Sequence, residues 1–443
     1  MIVLDLFSGA GGLSEGFHND EGFKIVSQIE RDKWACETLT TRTIFHYLKK
    51  KKDLDTYFEY LKVANDYKNI NENRRFIYDK YPELEEINSY EILNRKFGNP
   101  QNDEEATSLK EITRLIEESM KFNNENNIDL IIGGPPCQAY SVVGRSRMKE
   151  SAVKDSRNFL FYYYLNLVKE YSPKAFIFEN VPGILTARKG EVFLKIKEEF
   201  DKIGYELLSG TSNIDKNNVI DFGEFGVIQK RKRVILFGFK RELNLVYPNF
   251  QSEKFQWNHE LNTFNILNDL PTLHPGDGND HKLIPYSNTG IQLNEYQKYL
   301  RKDSIGVINH KARKIQDRDR KIYELSIKLA EQGQQLKYPD LPSELKTHQN
   351  EKSFLDRFKV HPFDKMPHTV VAHISKDGHY NIHPDLKQCR SLTVREAARI
   401  QGFPDNYKFE GPRTAQFVQV GNAVPPIMSK VIAKSVKRLF QSK

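Results

Sequence analysis

The run Asp129-Leu-Ile-Ile-Gly-Gly-Pro-Pro-Cys137 constrains this chain more than any other stretch of it. An apolar segment over 128–132 stops at two glycines and two prolines. Each proline fixes its own φ and restricts the residue before it, so the cysteine that follows is held by covalent geometry. Short apolar strands of this kind are buried on both faces of a parallel sheet, and such sheets carry ligands at the strands' carboxyl ends. Packing alone explains a thiol in that position poorly. Cys137 reads as a nucleophile.

Four further apolar segments, 2–6, 25–30, 175–178 and 234–239, have strand character, and 159–171 and 191–203 show helical spacing between them. The alternation predicts an α/β fold with a parallel, doubly wound sheet. Residues 42–127 are charged, rich in Asn, Lys and Glu, and read as a helical insertion on the sheet's rim. After residue 239 the β-α rhythm stops. The chain then becomes rich in Asn, Pro, Gly and aromatics, with a charged helix expected over 311–332. A strand-like stretch follows at 368–374 and a closing helix at 427–440. The expected organisation is a first domain over 1–245, a smaller irregular domain over 246–360 and a C-terminal segment over 361–443.

With 443 residues, 38% of them hydrophobic, the chain can fill the cores of two or three domains. Its three cysteines, Cys36, Cys137 and Cys389, are far apart and form no CxxC or Cys/His cluster. That spacing argues against a disulfide framework or a zinc site and suits a reducing cytosol; no metal is expected. No basic leader precedes an apolar stretch, and no apolar run approaches the ~18–20 residues of a membrane helix. A cytoplasmic protein without membrane partners is expected. The net charge of +8 fits a polyanionic partner and a lysine-rich solvated surface equally well.

The first strand runs into Asp5-Leu-Phe7-Ser-Gly9-Ala-Gly11-Gly12. Glycines between strand and helix let backbone approach a cofactor closely; a tight structural turn would use them too. The spacing is not the GxGxxG dinucleotide fingerprint, which disfavours a nicotinamide dehydrogenase. Glu30 ends the second strand, where an acidic residue can accept hydrogen bonds from ribose hydroxyls. Glu179-Asn180-Val181 ends the fourth. Any one of these has a bland reading, but Phe7, Glu30, Cys137 and Glu179 would meet at one edge of one sheet. Gln229-Lys-Arg231-Lys-Arg233 leads into the fifth strand, and its alternation puts both arginines on one side of an extended segment.

These motifs, together with Arg395-Glu396-Ala-Ala-Arg399-Ile-Gln-Gly-Phe-Pro404 and Gln419-Val-Gly421-Asn422-Ala-Val424-Pro-Pro426, stand in the order seen in DNA (cytosine-5) methyltransferases. The chain resembles that family from its first strand to its last helix, excepting the 42–127 segment and much of 245–360. The resemblance implies a Rossmann-like S-adenosylmethionine-dependent methyltransferase domain plus a smaller target-recognition domain, with the C-terminal segment folding back onto the first domain. Phe7, Gly9 and Gly11 would line S-adenosylmethionine, Glu30 would hold its ribose, and Pro136 and Leu160 would add apolar contacts. Asn422, Ala423 and Val424 would complete the methionine end. Cys137 would be the nucleophile, Glu179 would hold the cytosine N3 edge, Arg233 the O2 edge, and Arg231 would support the catalytic loop. That loop, with Gln138, Ser141, Arg145 and Arg147, would close over a flipped base and contact DNA. The family's acidic contact to adenine has no clear match; Gly98-Asn99 stands nearest.

The implied reaction moves a methyl group to C5 of cytosine in double-stranded DNA through a covalent bond between Cys137 and C6. A monomer of a prokaryotic or viral restriction–modification pair is expected, working beside a cognate restriction endonuclease. A tRNA cytosine methyltransferase of the same family is disfavoured by the large second domain. A catalytically inactive DNA-binding regulator is disfavoured by the presence of every residue the chemistry needs.

Overall fold

The computed structural model describes residues 1–443 apart from 19, 21, 137–159, 211–218, 288–289, 291, 348–354 and 442–443. Eight strands form the central sheet: β1 (Ile2–Leu6), β2 (Lys24–Glu30), β3 (Ile92–Asn94), β4 (Leu130–Gly133), β5 (Ala175–Asn180), β6 (Tyr205–Leu208), β7 (Ile220–Asp221) and β8 (Lys232–Lys240). The order across the sheet is β3-β2-β1-β4-β5-β8-β6, with β7 paired to the start of β8. β1 is the hub: Leu6 lies opposite Ile29 on one side and Gly133 on the other. The reversal of strand order there opens the crevice in which doubly wound sheets bind ligands.

Side-chain alternation divides the core between the two faces of the sheet. Val3, Ile25, Ile132, Ile177 and Phe237 face one way. Leu4, Val26, Ile131, Phe178 and Leu236 face the other. Helices cover both sides. The helices of the chain include α1 (Ser14–His18), α2 (Lys33–Lys50), α3 (Leu54–Val63), α4 (Ile70–Lys80), α5 (Glu83–Glu91), α6 (Leu109–Phe122), α7 (Leu160–Tyr171), α8 (Glu191–Lys202), α9 (Val394–Ile400), α10 (Arg413–Asn422) and α11 (Pro426–Gln441), of which α3 and α4 stand off the sheet. α6 shows why such segments are helical: Ser108 caps its first turn by accepting from Glu111 N, and Ile112, Ile116 and Met120 recur on one buried face. α11 packs on α1, where Ser429 Oγ accepts from Gly16 N and donates to the Leu13 carbonyl.

The structure corrects the sequence reading at four places. β8 runs antiparallel to both β5 and β6, so the sheet is mixed; an apolar run encodes burial, not direction. Segment 42–127 is no mere rim insertion, because it supplies β3, parallel to β2, and α6 against the sheet. Three residues are too few to show a period. Stretch 368–374 is not a strand. Val370 N bonds the Gln229 side chain and Val370 O accepts from Arg231, so side chains satisfy the backbone that a ladder would otherwise pair. The charged helix is shorter than expected, Asp317–Glu331.

Within 42–127, helices α2 to α5 build an apolar cluster of their own around Phe45, Leu48, Tyr57, Leu61 and Ile77. Tyr57 Oη donates to the Asn406 carbonyl, and Tyr60 Oη donates to Glu410. This layer therefore braces the C-terminal segment against the sheet.

Candidate active site

The carboxyl ends of β1, β2, β4 and β5 open into one cavity of about 1290 Å³. Phe7, Gly9, Glu30, Pro136, Leu160 and Glu179 line it, and so do Arg233, Asn422, Ala423 and Val424. Ten residues singled out from sequence thus meet in one space. Cys137 and the loop residues Gln138, Ser141, Arg145 and Arg147 lie outside the described residues. Gly11 and Arg231 are not among the lining residues.

The glycine turn is built by backbone that only certain residues tolerate. Gly9 and Gly11 have φ of +55° and +80°, and Phe7 itself sits at +58°. A left-handed phenylalanine is strained, and such strain persists where surrounding structure imposes it, often at ligand sites. Here the Phe7 ring packs on Phe97 with centroids 4.7 Å apart. A β-carbon on Gly12 would lie 2.2 Å from the Val424 carbonyl oxygen, so the C-terminal segment needs glycine there to close on the turn. Glu30 fastens the turn from the neighbouring strand. One of its oxygens accepts from Gly9 N at 2.9 Å, and the other accepts from Arg31 N and Asp32 N at 2.8 Å. Burial raises the Glu30 pKa, and these three amides partly offset the rise.

On the far wall, Arg233 Nε stands 2.9 Å from Glu179 Oε1. A β-carbon on Gly134 would come within 2.9 Å of Glu179 Oε2, so the glycine keeps room for that carboxylate. Asn180 Nδ2 donates to the Pro135 carbonyl and Asn180 Oδ1 accepts from Val181 N. The end of β5 that carries Glu179 is thereby tied to the double-proline turn that leads into Cys137.

Arg231 lies close enough to Arg233 and Glu179 to feel both charges, but it does not line the cavity. It is buried, and its guanidinium donates to the carbonyls of Val370, Gly421 and Ala423 at 3.0–3.2 Å. Burial and the neighbouring Arg233 lower its pKa well below the usual value, with Glu179 opposing. Its reach is to the C-terminal segment, which it clamps in place behind Asn422, Ala423 and Val424.

Sequence reasoning missed part of the cavity. Arg95, Phe97, Asn102 and Asp103 form a wall beside Gly98 and Asn99, which the sequence had suggested as a substitute adenine contact. The signal lay in β3, which brings 95–103 to the sheet edge beside Glu30. Asp5 was read only as part of a motif. It is fully buried on β1 beside the Ser8 and Ser14 hydroxyls, and burial pushes its pKa up to about 8. Among the described residues no cluster of potential metal ligands exists, and no helix is long and apolar enough to cross a membrane.

A mixed Rossmann-like sheet with a glycine turn, a strand-end carboxylate and an Arg–Glu pair in one crevice is the α/β architecture that binds its ligands at the carboxyl ends of the strands, the class to which methyltransferases belong. A model of the C-5 cytosine-specific DNA methylase family matches residues 1–68 and 88–438, and the chain belongs to that family. It is 62% identical over 439 residues to the type II methyltransferase M.Bpa9945I of Bacillus paralicheniformis, covering 99% of this chain and 98% of the relative. It is 30% identical to the type II methyltransferase M.DdeI of Desulfomicrobium norvegicum, over 100% of this chain and 90% of that one. A prophage-encoded E. coli protein, whose crystal structure carries the name of a DNA modification methyltransferase, aligns with a TM-score of 0.63 at 21% identity. That alignment covers 100% of this chain and 99% of the other, and it shows the common fold. Residues 69–87, which the family model passes over, hold α4 and the start of α5.

Proposed function

We propose that this enzyme transfers a methyl group from S-adenosylmethionine to C5 of a flipped-out cytosine in double-stranded DNA, and that the mark protects that DNA from a cognate restriction endonuclease. It acts as a monomer in the cytoplasm. The observation that carries the reading is the Arg233–Glu179 pair, set in the wall of a glycine-turned cavity and tied through Asn180 to the turn before Cys137.

The cavity's residues suit the cofactor. The turn at Phe7 and Gly9 with the Glu30 carboxylate fits a nucleoside. Phe7, Gly9, Glu30, Pro136 and Leu160 would hold the nucleoside, and Asn422, Ala423 and Val424 the methionine end. When bound, S-adenosylmethionine supplies an electrophilic methyl group on a sulfonium.

The chain's own residues do the rest. Cytosine C5 is a weak nucleophile, and addition of the Cys137 thiolate at C6 turns the ring into an enamine-like species that attacks through C5. Glu179 meets the N3 edge and delivers a proton as charge builds there, while Arg233 holds O2 and orients Glu179. Once C5 carries the methyl group, a base takes the C5 proton and the sulfur leaves C6, restoring the ring. The base must leave the helix stack first, at a few kcal/mol of unstacking, and the loop bearing Gln138, Ser141, Arg145 and Arg147 closes over it. The test is bisulfite sequencing of DNA from a host expressing the chain, with tritiated methyl incorporation into DNA and tRNA compared in vitro. One sequence context protected on DNA is expected. Incorporation into tRNA alone would overturn the reading.

A further inference from the structure

β5 and β6 are both antiparallel to β8 and so run the same way, which makes α8 cross from the carboxyl end of one to the amino end of the other. The turn that starts α8 therefore lies at the edge of the sheet where Asn180 and Val181 line the cavity. Lys195, one turn into α8, confirms the placement: its Nζ stands 6.0 Å from the ring centroid of Tyr162, another residue of the cavity wall. That turn is strained backbone. Arg188 (φ 47°, ψ 47°), Lys189 (φ 58°, ψ 26°) and Gly190 (φ 94°) are left-handed in succession. Glycine takes this conformation freely, whereas a β-carbon crowds the following carbonyl oxygen. The backbone asks for glycine at all three places, and the sequence supplies it at one.

The other two places carry cations. Both side chains are exposed, and neither has an ion pair or a side-chain hydrogen bond among the described residues. The carboxylates of this edge are engaged elsewhere: Glu179 pairs with Arg233, and Asp221 accepts from Gly223 N and Arg231 N. Glu191, next in the chain, stands in the first turn of α8, where the helix dipole favours it. Lys230 and Lys232 are exposed at the same edge, since Val234 just beyond them lies opposite Asn180. Strain of this kind persists where function holds it in place, ligand clamps included. We propose that Arg188 and Lys189 grip phosphates of the DNA backbone beside the flipped nucleotide and so fix the duplex over the mouth of the cavity. The inference rests on the DNA reading above. Such contacts set the register of the duplex and carry no base information.

Because phosphate contacts ignore sequence, a random-sequence duplex serves as the probe. Fluorescence anisotropy on that labelled duplex gives the Kd from about 50 to about 300 mM salt. Each neutralised phosphate adds about 0.9 to the slope of log Kd against log salt. Arg188→Gln with Lys189→Gln should therefore flatten the slope by close to 1.8 and weaken binding about tenfold at about 0.1 M salt. Arg188→Lys with Lys189→Arg keeps both charges and should restore the wild-type slope. Arg188→Gly with Lys189→Gly should bind as weakly as the glutamine pair yet melt no lower than wild type, since it sheds the strain. The Kd for S-adenosylmethionine should stay at the wild-type value in all three, which shows an intact cavity. A glutamine pair with the wild-type slope, or a charge-keeping pair as weak as the glutamine one, overturns the phosphate contact and leaves the DNA reading standing. A glycine pair that melts well below wild type makes the two side chains structural instead. Wild-type protein that binds tRNA but no duplex at any of these salt concentrations overturns the DNA reading, and this inference with it.

Discussion

Arg233 Nε lies 2.9 Å from Glu179 Oε1 across the antiparallel junction of β5 and β8, with each side chain about 15% exposed. The register sets Ile235 opposite Glu179, so Arg233, two residues earlier in β8, reaches the carboxylate diagonally. If this pair reads cytosine, its members are coupled. Glu179→Gln should lower kcat by about 10²–10⁴, the range of a lost proton donor. Arg233→Lys should lose less, since a point charge replaces a planar fork. In a double-mutant cycle the combined loss should fall short of the product of the single ones. Additive losses in methyl-transfer kinetics would separate the two roles.

Cys137 follows a turn that Asn180 holds by its Pro135 carbonyl, 3.1 Å away. Cys137→Ser should reduce methyl transfer by on the order of 10³ or more, the scale on which loss of a covalent nucleophile is felt. DNA and cofactor affinity should stay within about threefold of wild type, about 0.7 kcal/mol. A duplex with 5-fluorocytosine at the target should trap a covalent complex visible on a denaturing gel. Trapping by the serine variant as well would remove sulfur from the reaction.

Glu30 accepts three backbone amides, and Gly9 is one of them. Glu30→Ala should therefore loosen the glycine turn as well as remove a ribose partner. The Kd for cofactor should rise at least about tenfold, or about 1.4 kcal/mol. Calorimetry on the variant decides the point, with thermal melting to confirm the fold. An unchanged Kd would take Glu30 out of the binding site.

Much of this was legible because the central strands are runs of aliphatic residues ending in glycine, glutamate or proline, and each such ending is a chemical statement. β3 was invisible because Ile92-Leu93-Asn94 is embedded in charged helices and is too short to set a period. β8 looked like its neighbours because burial on both faces erases the difference between parallel and antiparallel pairing. Arg231 misled for another reason. Its alternation with Arg233 gives a side of the segment but not a destination, and the guanidinium ends on carbonyls of the C-terminal segment. Asp5 shows the limit from the other side, since a carboxylate between leucines in a buried strand was a signal, yet without coordinates it was only one letter of a motif.

Arg231 joins three carbonyls of the C-terminal segment to the central sheet. Arg231→Met preserves much of the volume and removes every donor, leaving buried acceptors that each cost about 1–3 kcal/mol when unpaired. Urea unfolding should show a loss of at least about 2 kcal/mol. The Kd for cofactor should rise too, because Ala423 and Val424 form a wall of the cavity. A destabilised variant that binds cofactor normally would confine Arg231 to a structural role.

The acid limit of the fold should be set partly by Glu410, buried where α2 and α3 meet the C-terminal segment. Its carboxylate accepts from Lys408 Nζ at 2.6 Å and from Thr41 and Tyr60, with Arg74 nearby. Burial alone would raise its pKa, but Lys408 and Arg74 outweigh it and bring it down to about 2. A free glutamate titrates near about 4.3, so the unfolded chain takes up this proton first. The ionised carboxylate thus contributes stability that is fully present above that value and is lost as pH falls toward about 2. Urea midpoints measured from about pH 6 down to about pH 3 should fall steeply for the wild type. Glu410→Gln should start lower, because Lys408 and Arg74 lose their buried partner, and should then show a shallower acid decline. Parallel curves for the two proteins would place the acid-sensitive group elsewhere.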